Sequence, residues 1–473
     1  MPRYRTTTTI LLLVAAAIIG NQADGNDKPN FVIFIADDHG INHSAPYGQP
    51  EYQTPNMQRM AAEGIRLTNA YVAAPTCGPS RAALCTGMMP CRNGIKANHE
   101  KELNLGVESL LPQLAAQGYD IVFRGKIAHG RDQPYVTDEV INIRGSIRPE
   151  FSLDGVAEYL QQRTDRTRPV ALFIGCTFTH RAWPDAGEAR MRPEEVTVPA
   201  KTFDTLETRR EMTRYVEAVE RTDRLLGEVR ELATKYLPTD NTMTLYTSDH
   251  GQSWPFGKWS LYEAGIRTPM IAVWPGKIPA AVTNDAMVSW VDLLPTLIDF
   301  AGGESPSDID GRSLSRVLLN ETSQHRDRIF AMHNGGKGEA AYPIRSVRIG
   351  HWKYIRNLHP EFYHSTALDV VRKRGKPKCP NWPSWIEAAT TNTEAATFLR
   401  AYHLRPAEEL YRLDRDPNET TNLATQDEYS EKLADLREIV SEQMKRDKDE
   451  GTVTGQPRLL KDVVLPVANT GGN

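Results

Sequence analysis

Three carboxylates and an imidazole stand in two short runs of this sequence, ADDHG at 36–40 and SDHG at 248–251. Placed side by side, Asp37, Asp38 and Asp249 would repel one another and raise their own pKa values, a conflict that a divalent cation removes. Oxygen donors select a hard ion such as Ca²⁺ or Mg²⁺, with His250 as a further ligand candidate. An aspartate behind a strand also caps helices, so either run alone says little. Three more runs carry side chains suited to acid–base and charge-stabilising work: FRGKIAHG with Lys126 and His129, CTFTHR with His180, and GKWSLYEAGIRTP with Lys258. A positioned imidazole such as His180 suits proton donation, although a solitary loop histidine is more often incidental and a solitary lysine is usually solvated.

Cys77, in AAPTCGPSR, stands where a helix ended by Gly87 begins. There the helix dipole and Arg81, one turn on, favour the thiolate. Position alone leaves two readings, a nucleophilic thiol and a small buried residue. Neither explains why a thiol should share a site with an oxygen-preferring cation, because thiolates prefer softer metals.

The elements that must position these residues are legible as apolar runs. NFVIFIADDHG (30–40), YDIVFRGK (119–126), PVALFIGCTFTH (169–180) and NTMTLYTSDHG (241–251) each read as a buried strand that stops in polar residues. Ligands of open α/β sheets gather at such carboxyl ends. A doubly wound sheet would therefore bring Asp37, Asp38, Lys126, His180, Asp249 and His250 to one edge. Helices are predicted from Pro55 to Gly64 behind the Thr54 cap, over 109–117 before Gly118, and over 207–236. Beyond WVDLLPTLIDFAGG (290–303) the Gly-rich HNGGKGEAAYP (333–343) reads as a connection, and SVRIGHWKYIRNL (346–358) alternates like an antiparallel strand. ELYRLDRDPNETTNLA (409–424) reads as strand, turn and helix start, with a helix over 427–445 and a wrapped or frayed tail after it. The expected organisation is a catalytic α/β domain over 28–330 and a smaller C-terminal α+β domain over 331–473, built on a short antiparallel sheet.

Whole-chain properties narrow the function classes. With 60 acidic and 56 basic residues among 473, the formal charge is -4, so no global positive field recruits nucleic acid or an anionic surface. An anionic substrate must be held by local cations. Residues 1–24 read as a processed leader, with Arg3 and Arg5 ahead of the apolar run Ile10 to Ile19. That run is too short to span a bilayer, and no later segment reads as transmembrane, so export is expected. Five cysteines, Cys77, Cys85, Cys91, Cys176 and Cys379, leave at least one unpaired or modified.

The run CGPSRAALCTG, from Cys77 to Gly87, resembles the signature of type I sulfatases, C-x-P-S-R followed by T-G. DDHG and Tyr47-Gly48, GKIAHG, FTHR, SDHG, GKWSLYEAGIRTP and LYRLDRDPNETTNLA follow in that family's order, so the resemblance spans about residues 30 to 445. It implies an alkaline-phosphatase-like fold, a large mixed sheet flanked by helices, and a Cys77 oxidised by a maturation enzyme to formylglycine. It also implies that Asp37, Asp38, Asp249, His250 and the modified Cys77 ligate the metal. Arg81, Lys126 and His129 would stabilise the hydrated formylglycine, and His129 would take a proton when sulfate is released. His180 and Lys258 would reach the bridging atom and the sulfate oxygens, with His180 the acid. Many members carry asparagine where His250 stands; imidazole softens the site, so Ca²⁺ is expected with Mg²⁺ or Mn²⁺ as alternatives.

The substrate implied is a sulfated carbohydrate. AYPIRSVRIGHWKYIRNLHPEFY (341–363), together with FTHR, is similar to sulfamidases, whereas GKIAHG and SDHG resemble the iduronate-sulfatase type. Two other readings stand beside the sulfatase: a phosphate or phosphonate monoester hydrolase of the same superfamily, and a noncatalytic binder of sulfated glycans in which Cys77 stays a thiol.

Overall fold

Residues 28–98, 100–129, 140–147, 150–183, 190–336, 338–369 and 379–463 are described by the structure, a computed structural model. The leader expected over 1–24 lies outside them. The larger sheet contains β1 (Asn30–Ala36), β2 (Ile65–Tyr71), β3 (Asp120–Gly125), β4 (Val140–Ile143), β5 (Val170–Cys176), β6 (Thr242–Ser248), β7 (Arg267–Val273) and β8 (Val282–Ser289), in spatial order β4-β3-β5-β1-β6-β7-β2-β8. β3, β5, β1 and β6 are parallel neighbours. β1, β5 and β6 are buried along their whole length, which is why their sequences run apolar without alternation.

β7 lies antiparallel to both β6 and β2, so the sheet is mixed. Pro269 in its middle argues against a central strand, since proline cannot donate to the ladder. The sheet accommodates it at a bulge: pairing steps from Leu67 opposite Met270 to Ala70 opposite Thr268. The Tyr47 hydroxyl closes the gap, accepting from Met270 N–H at 2.8 Å and donating to the Met270 carbonyl at 2.9 Å.

A second sheet holds β9 (Arg328–Gly335), β10 (Ala341–Ile349), β11 (Trp352–Asn357) and β12 (Glu408–Arg412), antiparallel in the order β12-β11-β10-β9. Three sequence expectations need correcting here. The run 333–343, expected as a connection, is a hairpin in which His333 to Gly335 finish β9 and Ala341 opens β10. The run 346–358 is two strands, because Gly350 takes a positive φ of 55° and turns the chain. The helix start expected by residue 424 comes later, where a 3₁₀ turn over Asp427–Tyr429 leads into the α-helix Ser430–Arg446 and so forms the helix expected over 427–445. The described part of the tail wraps, with Leu459 bridging to Phe362.

The largest apolar cluster draws on both sheets, from Phe31 and Ile33 of β1 to Ile344, Ile355 and Tyr411 of the smaller sheet. An ionic clamp adds to it. The Glu263 carboxylate, in the loop between β6 and β7, accepts from the Tyr71 hydroxyl at 2.8 Å, Arg348 at 2.9 Å and Lys353 at 3.1 Å. Its backbone N–H donates to Glu419 at 2.7 Å. All of these side chains are buried. Deleting the acid strands two buried cations, which costs about 3–5 kcal/mol. Glu263→Ala is therefore expected to lower the urea unfolding free energy by about 3–5 kcal/mol; a loss under about 1 kcal/mol would show that the clamp is dispensable.

Candidate active site

β4, β3, β5, β1 and β6 run parallel, and the ladder continues one residue past β1, β6 and β3. Asp37 N–H donates to the Cys176 carbonyl at 3.0 Å, Asp249 N–H to the Ala36 carbonyl at 3.0 Å, and Lys126 N–H to the Gly175 carbonyl at 2.9 Å. Functional side chains thus start from backbone fixed by the sheet rather than from free loops. Gly175 is required for the last contact, because a Cβ there would lie 1.9 Å from the Lys126 carbonyl oxygen.

Cys77 enters from below this edge as the first residue of the helix Cys77–Thr86, which Gly87 closes with a φ of 65°. Its Sγ lies 3.3 Å from His250 Nε2, 3.4 Å from Lys258 Nζ and 3.6 Å from Asp37 Oδ1. Arg81, one turn along, donates through Nε to Asp249 Oδ2 at 3.0 Å and through a terminal nitrogen to the Ile127 carbonyl at 3.1 Å. Lys126 Nζ sits 2.7 Å from both Asp37 oxygens, and Lys258 Nζ 2.7 Å from Asp38 Oδ1. Donor atoms of Asp37, Cys77, Asp249 and His250 lie within 4.8 Å of one another, as do those of Asp38, Cys77 and His180. The structure therefore brings nine of the ten residues singled out from the sequence into one cluster. His129, the tenth, lies half-buried in the loop after Lys126.

Burial and charge pull against each other throughout. Burial alone would push the Asp37 carboxyl up, but Lys126, His180, Arg81 and Lys258 outweigh it and hold the group well below the usual carboxylate range. The Cys77 thiol, raised by burial, is likewise carried well below its ordinary value by Lys126 and Lys258. Asp249 goes the other way: burial, then Asp37 and Cys77, push it up to about 7 against His250 and Arg81. His250 is lowered by burial yet raised to about 9, chiefly by Asp249. Burial lowers His180 despite Asp38 and Asp37. Asp38 Oδ2 is buried with no hydrogen-bond partner among the described residues. Three buried aspartates with an imidazole, one carboxylate oxygen among them unpartnered, form a donor set that a hard divalent cation would complete, displacing the proton that Asp249 and His250 retain.

Several supporting residues went unread in the sequence. Ser80 Oγ donates to the Asp249 carbonyl at 2.6 Å, and Asn98 accepts from Gly78 N–H at 2.8 Å at the start of the Cys77 helix. Ser80 lies inside the quoted CGPSR run, whereas nothing local marks Asn98. All five cysteines are buried and free, so no disulfide joins them.

Carboxylates, fixed cations and a reactive position at the carboxyl edge of a mixed α/β sheet suit a class, the hydrolases of tetrahedral oxyanion esters. The chain belongs to the sulfatase family, whose profile matches residues 29–303. Residues 250–368 also match the C-terminal part of N-sulphoglucosamine sulphohydrolase. An ulvan-active sulfatase of Formosa agariphila is 29% identical over 457 residues, covering 94% of this chain and 85% of that protein. N-acetylgalactosamine-6-sulfatase of Homo sapiens is 29% identical, with 91% and 87% covered. Among solved structures, a phosphonate monoester hydrolase of Agrobacterium radiobacter shares the fold at a TM-score of 0.66 and 16% identity, covering 89% of this chain and 96% of that one. The protein is thus a sulfuric ester hydrolase by family, on a fold that also serves phosphonate esters.

Adding a divalent cation to chelator-treated protein is expected to raise Tm, by the equivalent of about 2.7 kcal/mol at a hundredfold excess over Kd. Asp249→Asn should remove the response. A wild-type Tm indifferent to every divalent cation would contradict a metal site.

Proposed function

We propose that the protein is an exported sulfatase that removes sulfate from a sulfated carbohydrate, as an O-ester or an N-sulfo group, using a formylglycine made from Cys77. The observation that carries this reading is the position of Cys77, with a carboxylate, an imidazole and an ammonium all within 3.6 Å of its sulfur. When formed, formylglycine supplies two geminal hydroxyls, one to attack sulfur and one to expel sulfate later. Asp37, Asp38, Asp249 and His250 would hold the cation, Ca²⁺ by preference, and that ion supplies positive charge for the sulfate oxygens.

The chain's own residues do the rest. Lys126, Lys258 and Arg81 place fixed positive charge around position 77, and each such donor aimed at charge developing on oxygen is worth roughly 3 kcal/mol. His180 gives its proton to the departing oxygen or nitrogen, a contribution on the order of 10² to 10⁴ in rate. His129 accepts the proton given up at residue 77 as sulfate leaves. Arg81 holds Asp249 through Nε and opposes the upward pull of burial on that carboxyl. The smaller sheet, which resembles the sulphohydrolase C-terminal part, frames the sugar.

Cys77 is only 1% exposed. A maturation enzyme must therefore meet it before folding closes, which agrees with an exported chain modified as it emerges.

Sulfate release from defined sulfated mono- and disaccharides is the test, with matching phosphate esters in parallel. Turnover of one or more sugar sulfates, weak or absent turnover of the phosphates, and complete loss of turnover in Cys77→Ala at unchanged Tm are expected. Preference for the phosphates would favour the phosphate or phosphonate hydrolase, and sugar binding without turnover in matured protein would favour the noncatalytic binder.

A further inference from the structure

Two neighbouring aspartates should not both reach one cluster from the end of a strand, because successive side chains on a strand point to opposite faces. Asp37 continues β1 and meets Lys126 and Cys77. Asp38 meets Lys258 in the same cluster, and its carboxylate comes within 4.8 Å of Cys77 and His180 donors. The geometric reason is its backbone, which takes a φ of 69°. A non-glycine residue in that left-handed region costs about 1 kcal/mol and persists only where its surroundings hold it.

The Asp38 N–H donates to Asp249 Oδ1 at 3.1 Å, and a single hydroxyl holds the carbonyl side of the turn. The Tyr215 hydroxyl donates to the Asp38 carbonyl and accepts from Gly40 N–H, both at 3.2 Å. It therefore bridges the turn from one side to the other. Tyr215 comes from the middle of the long helix Leu206–Tyr236 and is wholly buried. Its ring is fixed edge-on against His43 at 5.1 Å and tilted against Trp183 at 5.0 Å. Next to it His39 secures the loop: its N–H donates to Ser248 Oγ at 2.9 Å, and its ring nitrogens meet the Tyr246 hydroxyl at 2.5 Å and the His43 carbonyl at 3.0 Å. The carbonyl contact requires the proton on Nε2, so Nδ1 accepts from Tyr246. Those contacts hold the loop beyond Asp38, and among the described residues only Tyr215 binds the Asp38 carbonyl by a side chain.

We infer that Tyr215 is a positioning residue for cation binding: its hydroxyl locks the left-handed Asp38 and so fixes the Asp38 carboxylate, one oxygen of which is unpartnered, at the cluster. This rests on the cation reading given above. The loss expected on removing the hydroxyl is that of an outer-sphere partner of a metal ligand, about 10- to 100-fold in affinity.

Calcium binding to chelator-stripped full-length protein, followed calorimetrically, tests it on wild type, Tyr215→Phe and Tyr52→Phe. Tyr52 is a buried tyrosine that packs on the same His43 ring at 5.6 Å and serves as the control for packing. The expected result is a 10- to 100-fold weaker Kd in Tyr215→Phe alone, with circular dichroism and Tm near wild type. An unchanged Kd in Tyr215→Phe would overturn the inference while leaving the metal site standing. An equal weakening in Tyr52→Phe would overturn it too, since the effect would then be packing. Wild-type protein that binds no divalent cation would overturn the metal reading, and this inference with it.

Discussion

The structure is organised around one electrostatic problem, the burial of three aspartates in a single water-poor pocket. Asp37, Asp38 and Asp249 are each 1% exposed or less, and every counter-charge within reach, Arg81, Lys258, His250 and the head of Lys126, is buried with them or nearly so. Carboxylates this close are tolerated only when opposite charge and hydrogen bonds meet each oxygen. Lys126 saturates Asp37, Lys258 meets one oxygen of Asp38, and Arg81 meets Asp249. The balance stops one atom short, at Asp38 Oδ2. That shortfall is the feature on which the proposed cation site rests.

The rest of the fold can be read as the apparatus that keeps this balance rigid. Four adjacent parallel strands provide the fixed backbone, and the helix Cys77–Thr86 brings Cys77 and Arg81 on one turn. The loop carrying Lys258 has no long element of its own. It is tied to the segment leading into the Cys77 helix by Trp259 N–H on the Pro75 carbonyl at 3.0 Å, and to the smaller sheet by Glu263 through Arg348 and Lys353. Lys258 is thus placed by contacts that reach both sheets, since Glu263 also accepts from Tyr71 of β2.

How much of this the sequence disclosed depended on whether the signal was local. The strands that end in Asp37, Lys126, His180 and Asp249 are uninterrupted apolar runs, and the helices Pro55–Glu63 and Leu206–Tyr236 carry their own start signals, so those elements were legible. β7 was not, because Pro269 masks a strand that only the bulge in β2 makes acceptable. β9 was not, because the glycines after His333 look like a linker until β10 pairs with them. In the site, residue types at strand ends revealed the carboxylates and cations. Ser80, Asn98 and Tyr215 act through hydrogen bonds to backbone atoms far away in sequence, and such partners leave no mark on the local pattern. The left-handed turn at Asp38 is a property of the same kind, visible only once the helix behind it is in place.

Everything ascribed to the cluster turns on the chemical state of residue 77. Peptide mass spectrometry of the protein from its native host, or from a host that has the maturation enzyme, reads that state directly. The account predicts an aldehyde at position 77 that reacts with hydrazide reagents, with Cys85, Cys91, Cys176 and Cys379 recovered as alkylated thiols. An intact, alkylated Cys77 in protein from such a host would contradict it, and the buried charges would then have to be explained without a formylglycine nucleophile.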